Sequence, residues 1–227
     1  MKPAGGDEAR RARWAAKKAH YQDEGVVERY DTERFRSRHE RASTERKWRA
    51  IQRAIGGELA AGAEVLDVPS GRGRFTSRIL EAGYRLTSAD LSEPMLRAAI
   101  DEAGAASAFR GAVRCDAERL PFGAGSFDMV LSVRFLFHVP PDLRAGILRE
   151  FARVSRRFVV VDVRHKYCWT THTKRWKAWI LRRAPPSKRA SLAEIDRDLE
   201  AAGLRLARRI WLAPGLLEKM LLVCEKS

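Results

Sequence analysis

The sequence predicts an α/β fold: a doubly wound, mostly parallel sheet covered by helices on both faces, finishing in an antiparallel C-terminal strand pair. Three observations predict it. From Ala63 onward, apolar runs of strand length alternate with amphipathic stretches of helical period. A glycine-bearing turn, Gly71-Arg72-Gly73, joins the first of those runs to the first of those stretches. Two late strand-like runs, 204–212 and 220–224, are separated by a Pro214-Gly215 connection too short for a crossover helix, so they are expected to pair antiparallel.

Residues 1–50 read as an N-terminal helical extension, polar, with Tyr21, Val26, Val27, Tyr30 and Phe35 as scattered apolar anchors. Its first ~20 residues are expected to be mobile. Residues 51–227 read as one domain with a basic, tryptophan-rich insertion at 164–190. Within it, strand 65–68 leads through the glycine turn into a helix marked by Phe75, Ile79 and Leu80 and ended by Gly83. A second strand, 84–89, ends at Asp90; Ser92 then serves as N-cap, Pro94 lies in the first turn, and Met95, Leu96 and Ala99 form the buried stripe. Further strands fall at 109–113, 127–133 and 158–163, with a helix over 142–154 between the last two. Ser191-Leu192-Ala193-Glu194 is a capping-box pattern, and the helix it opens stops at Gly203.

Composition narrows the setting. The chain of 227 residues is 45% hydrophobic, enough for one sizeable core. Its apolar runs are strand-sized or broken by charge, and charged residues follow Met1 closely, so neither a membrane span nor a signal peptide is expected. Cys115, Cys168 and Cys224 are far apart and lack C-x-x-C spacing, which points away from a disulfide framework or zinc site and toward a reducing, cytoplasmic setting. Lys plus Arg number 44 against 29 Asp plus Glu, a formal charge of +15 that favours an anionic partner such as nucleic acid, phospholipid or a phosphorylated substrate. An arginine-rich surface with no such role explains the same number.

The stretch Val65-Leu-Asp-Val-Pro-Ser-Gly-Arg-Gly-Arg-Phe75 places Gly71 and Gly73 where open α/β sheets bring their backbone close to a ligand. Asp90, seventeen residues past Gly73, stands where a carboxylate accepts both hydroxyls of a ribose. Asp116 follows the third strand, ahead of Leu120-Pro-Phe122 and Ser126-Phe-Asp128; Asp128 itself reads as a structural residue. Over about residues 60–165 the chain resembles the class I S-adenosylmethionine-dependent methyltransferases related to the ubiquinone and menaquinone biosynthesis enzymes. Leu66, Asp67, Gly71 and Gly73 match that family's first motif. The resemblance implies a Rossmann-like methyltransferase that binds S-adenosylmethionine and releases S-adenosylhomocysteine. It further implies that Asp67, Ser70 and the Gly71–Gly73 backbone hold the methionine end, and that Asp90 holds the ribose. Leu91 or Met95 would pack on the adenine, Asp116 with Ala117 would meet its amino edge, and Ser132 and Arg134 would line the methyl-transfer mouth. The family's first glycine is Pro69 here, which lacks a backbone donor and fixes φ at about −65°, and Arg72 replaces a small residue.

Methyl transfer from a sulfonium asks the protein mainly to align the reacting atoms and exclude water. Where the acceptor needs a base, His138 and His165 are the positional candidates. No metal-ligand spacing is present. The segment 164–193 carries nine Lys or Arg and no acid, with Trp169, Trp176, Trp179 and Ile180 near helical spacing. Tyr167, Trp169 and Trp176 from it, with Tyr30 and Phe35, are expected as a substrate lid. Such a helix suits an anionic membrane surface or a phosphate-bearing lipid, which would make the protein peripheral to the membrane; packing of the tryptophans on the domain explains it equally. The expected acceptor is therefore a small molecule or lipid. The alternatives are an RNA methyltransferase, or a non-catalytic nucleic-acid- or membrane-binding module. A nicotinamide dehydrogenase fits less well, because Thr76 stands where the third glycine of G-x-G-x-x-G belongs.

Overall fold

The structure is a computed structural model that describes residues 5–22, 38–164, 173, 176, 180–181, 190–212 and 219–226. Seven strands form one sheet in the order β3-β2-β1-β4-β5-β7-β6. They are β1 (Glu64–Asp67), β2 (Arg85–Asp90), β3 (Phe109–Arg114), β4 (Phe127–Ser132), β5 (Ser155–Arg164), β6 (Leu204–Trp211) and β7 (Lys219–Lys226). β1 pairs in parallel with β2 on one side and β4 on the other, so the chain reverses its direction of travel across the sheet at β1. That reversal opens a crevice at the carboxyl ends of β1 and β4, the place where open sheets of this kind bind ligands. β7 is antiparallel to both β5 and β6, as the short 212–219 connection requires.

Strand alternation sorts the core into two layers. Val65, Leu86, Met129, Leu131, Phe158 and Val160 point to the face covered by α2 (Arg38–Ile55) and α3 (Thr76–Glu81), where Trp48, Ile51, Ile55, Phe75 and Ile79 are buried. Leu66, Val68, Val130, Val159 and Val161 point to the other face, beneath Ile147 and Phe151 of α5 (Pro141–Val154) and Ile195 and Leu199 of α6 (Leu192–Ala201). α6 opens with the expected capping box: Ser191 Oγ accepts from Glu194 N at 3.2 Å and Glu194 Oε2 accepts from Ser191 N at 2.6 Å. Ser92 stands at the N-cap of α4 (Glu93–Ala103) but forms no side-chain capping bond. Asp128 is structural, accepting from Glu64 N at 2.8 Å and Arg156 Nη1 at 2.9 Å.

One expectation is corrected. Residues 5–20 form a helix, α1 (Gly5–His20), as the helical extension predicts, but it is docked beside the crevice where the sequence predicts a mobile N-terminus. It has no broad apolar stripe. What holds it is one aromatic anchor and a few charge-assisted bonds: Trp14 Nε1 donates to Glu118 Oε1 at 2.8 Å, and Lys18 Nζ donates to Asp116 Oδ2 at 2.6 Å and to Glu118. A second tie crosses the layers, since Lys47 on α2 pairs with Asp162 on β5 where both are almost fully buried.

Candidate active site

The floor of the crevice is the turn between β1 and α3. Pro69 follows a cis peptide bond, and the turn closes regardless, because Ser70 N donates to Ala89 O at 2.8 Å and Gly71 N to Asp90 Oδ2 at 2.8 Å. Gly71, at φ +54°, has open space where a Cβ would stand, so its backbone is exposed to a ligand. Gly73, at φ +74°, serves packing: a Cβ there would lie 2.7 Å from Thr76 Oγ1 and 3.0 Å from Ala99 Cα on α4. It is absent from the cavity lining, to which Gly71 contributes.

Three carboxylates stand at the tips of β1, β2 and β3. Asp67 is 2% exposed and its Oδ2 has no hydrogen-bond partner among the described residues; burial, then the charge of Asp90, pushes its carboxyl well above the ordinary aspartate value. Asp90 is raised too, by burial, against the pull of backbone N–H donors from Ser92, Gly71 and Leu91. Both of its oxygens are engaged, Oδ1 accepting from Ser92 N at 2.9 Å, and each keeps a further lone pair for a ligand hydroxyl. Asp116 is also engaged, by Lys18 and, at 3.0 Å, by Glu118 N.

The opposite wall is cationic and aromatic. Arg134, just past β4, adopts φ +68°, a left-handed conformation uncommon for a side-chain-bearing residue, and its N–H is held by Asp162 Oδ1. Lys17 Nζ lies 2.7 Å from His138 Nδ1. Loss of surrounding water, then the charges of Lys17, Arg164 and Arg134, lowers the His138 pKa to about 4, so the ring is neutral near pH 7. Trp14 and Phe135 face each other with ring centroids 6.1 Å apart. Cys115 also lines the cavity, but burial with Asp90 and Asp116 pushes its thiol up to about 11, which leaves it protonated and poorly nucleophilic.

Residues 66–158 match the family model described as a methyltransferase domain. Over that stretch, less than half of the chain, the sequence is similar to a methyltransferase domain. A demethylmenaquinone methyltransferase of Mycolicibacterium gilvum is 36% identical to the domain's chain over 144 residues, 61% of this chain and 57% of that protein. An uncharacterised Mycobacterium tuberculosis protein is 41% identical over 99 residues, 44% of this chain and 35% of its own length. The chain thus spans between about a third and just over half of these curated relatives. Among solved structures, magnesium protoporphyrin IX methyltransferase from Synechocystis, crystallised with S-adenosylhomocysteine, shares the fold at a TM-score of 0.66 and 20% identity, over 82% of this chain and 83% of that one.

Of the residues that sequence reasoning assigned to the methyltransferase site, Asp67, Ser70, Gly71, Asp90, Leu91 and Met95 line one cavity. Asp116, Ala117, Arg134 and His138 line it too. Ser132 does not, and this corrects its placement at the mouth. It is the last residue of β4, fully buried, and its Oγ has no partner among the described residues; the side chains that reach the cavity come from Val133 and Arg134 after the strand. His165, Tyr167, Trp169, Tyr30 and Phe35 lie outside the described residues, so their roles as base or lid do too. Trp176 is described and is 63% exposed, with Ile180 and Leu181 also exposed. Sequence reasoning missed Trp14, Lys17, Lys18 and Tyr21, which the helix α1 contributes to the cavity wall. Their only signal is two lysines and two aromatics at near-helical intervals, without the apolar repeat that marks a packed helix.

Proposed function

We propose that the protein transfers the methyl group of S-adenosylmethionine to a small-molecule or lipid acceptor. The observation that carries this is Asp67: a buried carboxylate with an oxygen unpartnered among the described residues, in the wall of a cavity at the sheet's reversal point. Such a group is costly as an anion until a cation reaches it, and the α-ammonium of the cofactor answers that need. Gly71 N is taken by Asp90, and its open α-carbon leaves space for the methionine chain beside Ser70. Asp90 would hold the ribose hydroxyls through its spare lone pairs, Leu91 and Met95 would cover the adenine, and Asp116 with Ala117 would meet its edge. When bound, the cofactor supplies an activated methyl on a sulfonium centre.

The chain's own contribution is to bind, orient and keep water away. Trp14, Tyr21 and Phe135 wall the side facing the acceptor. His138 offers little as a proton acceptor at Nδ1, because that lone pair lies against the Lys17 ammonium; in the neutral ring the proton then sits on Nε2, which donates. Acceptor binding and alignment therefore carry the rate.

Thermal unfolding tests the proposal. S-adenosylhomocysteine at a hundred times its Kd adds about 2.7 kcal/mol of stability, which is a rise of roughly 5–10 °C for a chain of this size, and NAD adds nothing. A shift with NAD and none with S-adenosylhomocysteine overturns it.

A further inference from the structure

We infer that the acceptor is an apolar or aromatic molecule bearing one oxyanion, a carboxylate or phosphate, and that Lys17 on α1 receives that oxyanion and so selects the substrate. The inference rests on the methyltransferase reading of the same cavity and adds the chemical class of the molecule that shares it.

Two adjacent lysines of α1 stand in opposite circumstances. Lys18 is saturated by two carboxylates, Asp116 and Glu118, and this contact fixes α1 against the loop after β3. Lys17 has no carboxylate within ion-pairing distance among the described residues; its hydrogen-bond partner is His138, whose ring is neutral. Burial draws the Lys17 pKa down, with no anion acting against it. A partly desolvated ammonium that meets only a neutral ring is unfavourable in the free protein and becomes favourable when a ligand brings the missing charge.

The surroundings have the same sign. His138 experiences the positive charges of Lys17, Arg164 and Arg134 together. Asp162, the acid on this side, is already occupied by Lys47 and by Arg134 N. Arg164 lies over the Phe137 ring at 3.9 Å. The acids of the cavity lining are confined to one side. Asp67, Asp90 and Asp116 stand at the β1, β2 and β3 tips, with Arg72 and Arg74 of the β1–α3 turn and Lys18 among them, whereas the lining formed by Lys17 and by Val133, Arg134, Phe135 and His138 after β4 holds cations and no acid. A cofactor carrying sulfonium and ammonium charges suits the acidic half, and the other half suits an anion. Between them, Trp14, held by Glu118, and Phe135 offer an aromatic wall to the body of the acceptor.

The test is calorimetric and uses the full chain. Sodium benzoate, phenyl phosphate and the neutral isostere benzamide are titrated into the protein saturated with S-adenosylhomocysteine, and again into protein without it, so that failed cofactor binding leaves the anion measurements readable. The expected result is binding of benzoate, phenyl phosphate or both at least tenfold tighter than benzamide. Whichever of the two binds identifies the oxyanion as carboxylate or phosphate. Lys17→Met is expected to lose that preference and Lys17→Arg to keep it, while both retain wild-type affinity for S-adenosylhomocysteine, which also reports that they fold. Equal binding of anion and isostere, no binding of either anion, or full anion binding by Lys17→Met overturns the inference. Failure of S-adenosylhomocysteine alone to bind overturns the methyltransferase reading instead.

Discussion

At the scale of single residues, the site is built from groups that are poorly placed for the free protein. Asp67 is the clearest case. Its folded pKa is raised above the unfolded one, so between those two values the native chain holds more protons than the unfolded chain, and stability falls as pH rises through that window. Asp67→Asn removes the buried charge. It is therefore expected to raise the stability of the ligand-free protein at neutral pH by on the order of 1 kcal/mol and to weaken S-adenosylhomocysteine binding by ~10–100-fold through the lost charge-assisted bond. Scanning calorimetry and a binding titration on the same sample check both signs. The wild-type affinity is expected to drop as pH falls through the raised Asp67 value, whereas that of Asp67→Asn stays flat. His138 carries the opposite linkage. With a folded pKa of about 4, it favours the native state above its unfolded value and loses that advantage as pH falls toward 4.

At the scale of elements, the glycine turn divides its labour between ligand and packing. Gly73 lets α3 and α4 approach, and Gly71 leaves the cavity open. Gly73→Ala combines a left-handed φ with a clash against Ala99, so a loss of about 2–4 kcal/mol is expected. Gly71→Ala carries only the backbone cost of about 1–2 kcal/mol and is expected to lose cofactor affinity instead. Urea unfolding and S-adenosylhomocysteine titration of the two variants separate the roles; identical profiles would refute the division. These elements were largely legible in the sequence. β1 through β5 announced themselves by apolar runs with short flanking turns, and the β6–β7 pair by the brevity of its connection. The helical character of α1 was legible but its docking was not, because Trp14 and Lys18 dock it through Glu118 and Asp116, about a hundred positions away, and no local periodicity encodes a contact of that range. Ser132 was misplaced for a related reason: the end of a buried strand and the start of its exit loop differ by one residue, and side-chain direction reverses between them.

At the scale of the whole molecule, Lys47 and Asp162 join the helical layer over one face of the sheet to β5, and Asp162 then reaches Arg134 at the cavity wall. Stability and site geometry therefore share a residue. Burial outweighs the attraction of Asp162 and lowers the Lys47 pKa, the mark of a pair whose desolvation is only partly compensated. Lys47→Met leaves Asp162 without its counter-charge and is expected to cost about 3–5 kcal/mol, read as a shifted urea midpoint with unchanged slope. Adding Asp162→Asn to it is expected to recover part of that loss, and the absence of any recovery would show that the two side chains are not energetically coupled.

The strand order has a bearing on how the protein is made. β7 lies between β5 and β6, although β6 precedes it in the chain. A nascent polypeptide that has cleared the ribosome as far as Trp211 holds a finished β6 with no neighbour to join, and β5 keeps an open hydrogen-bonding edge for as long as residues 219–226 are still to come. A translation pause in that short interval leaves the β5 edge open to pairing with the wrong strand, the chain's own or another's.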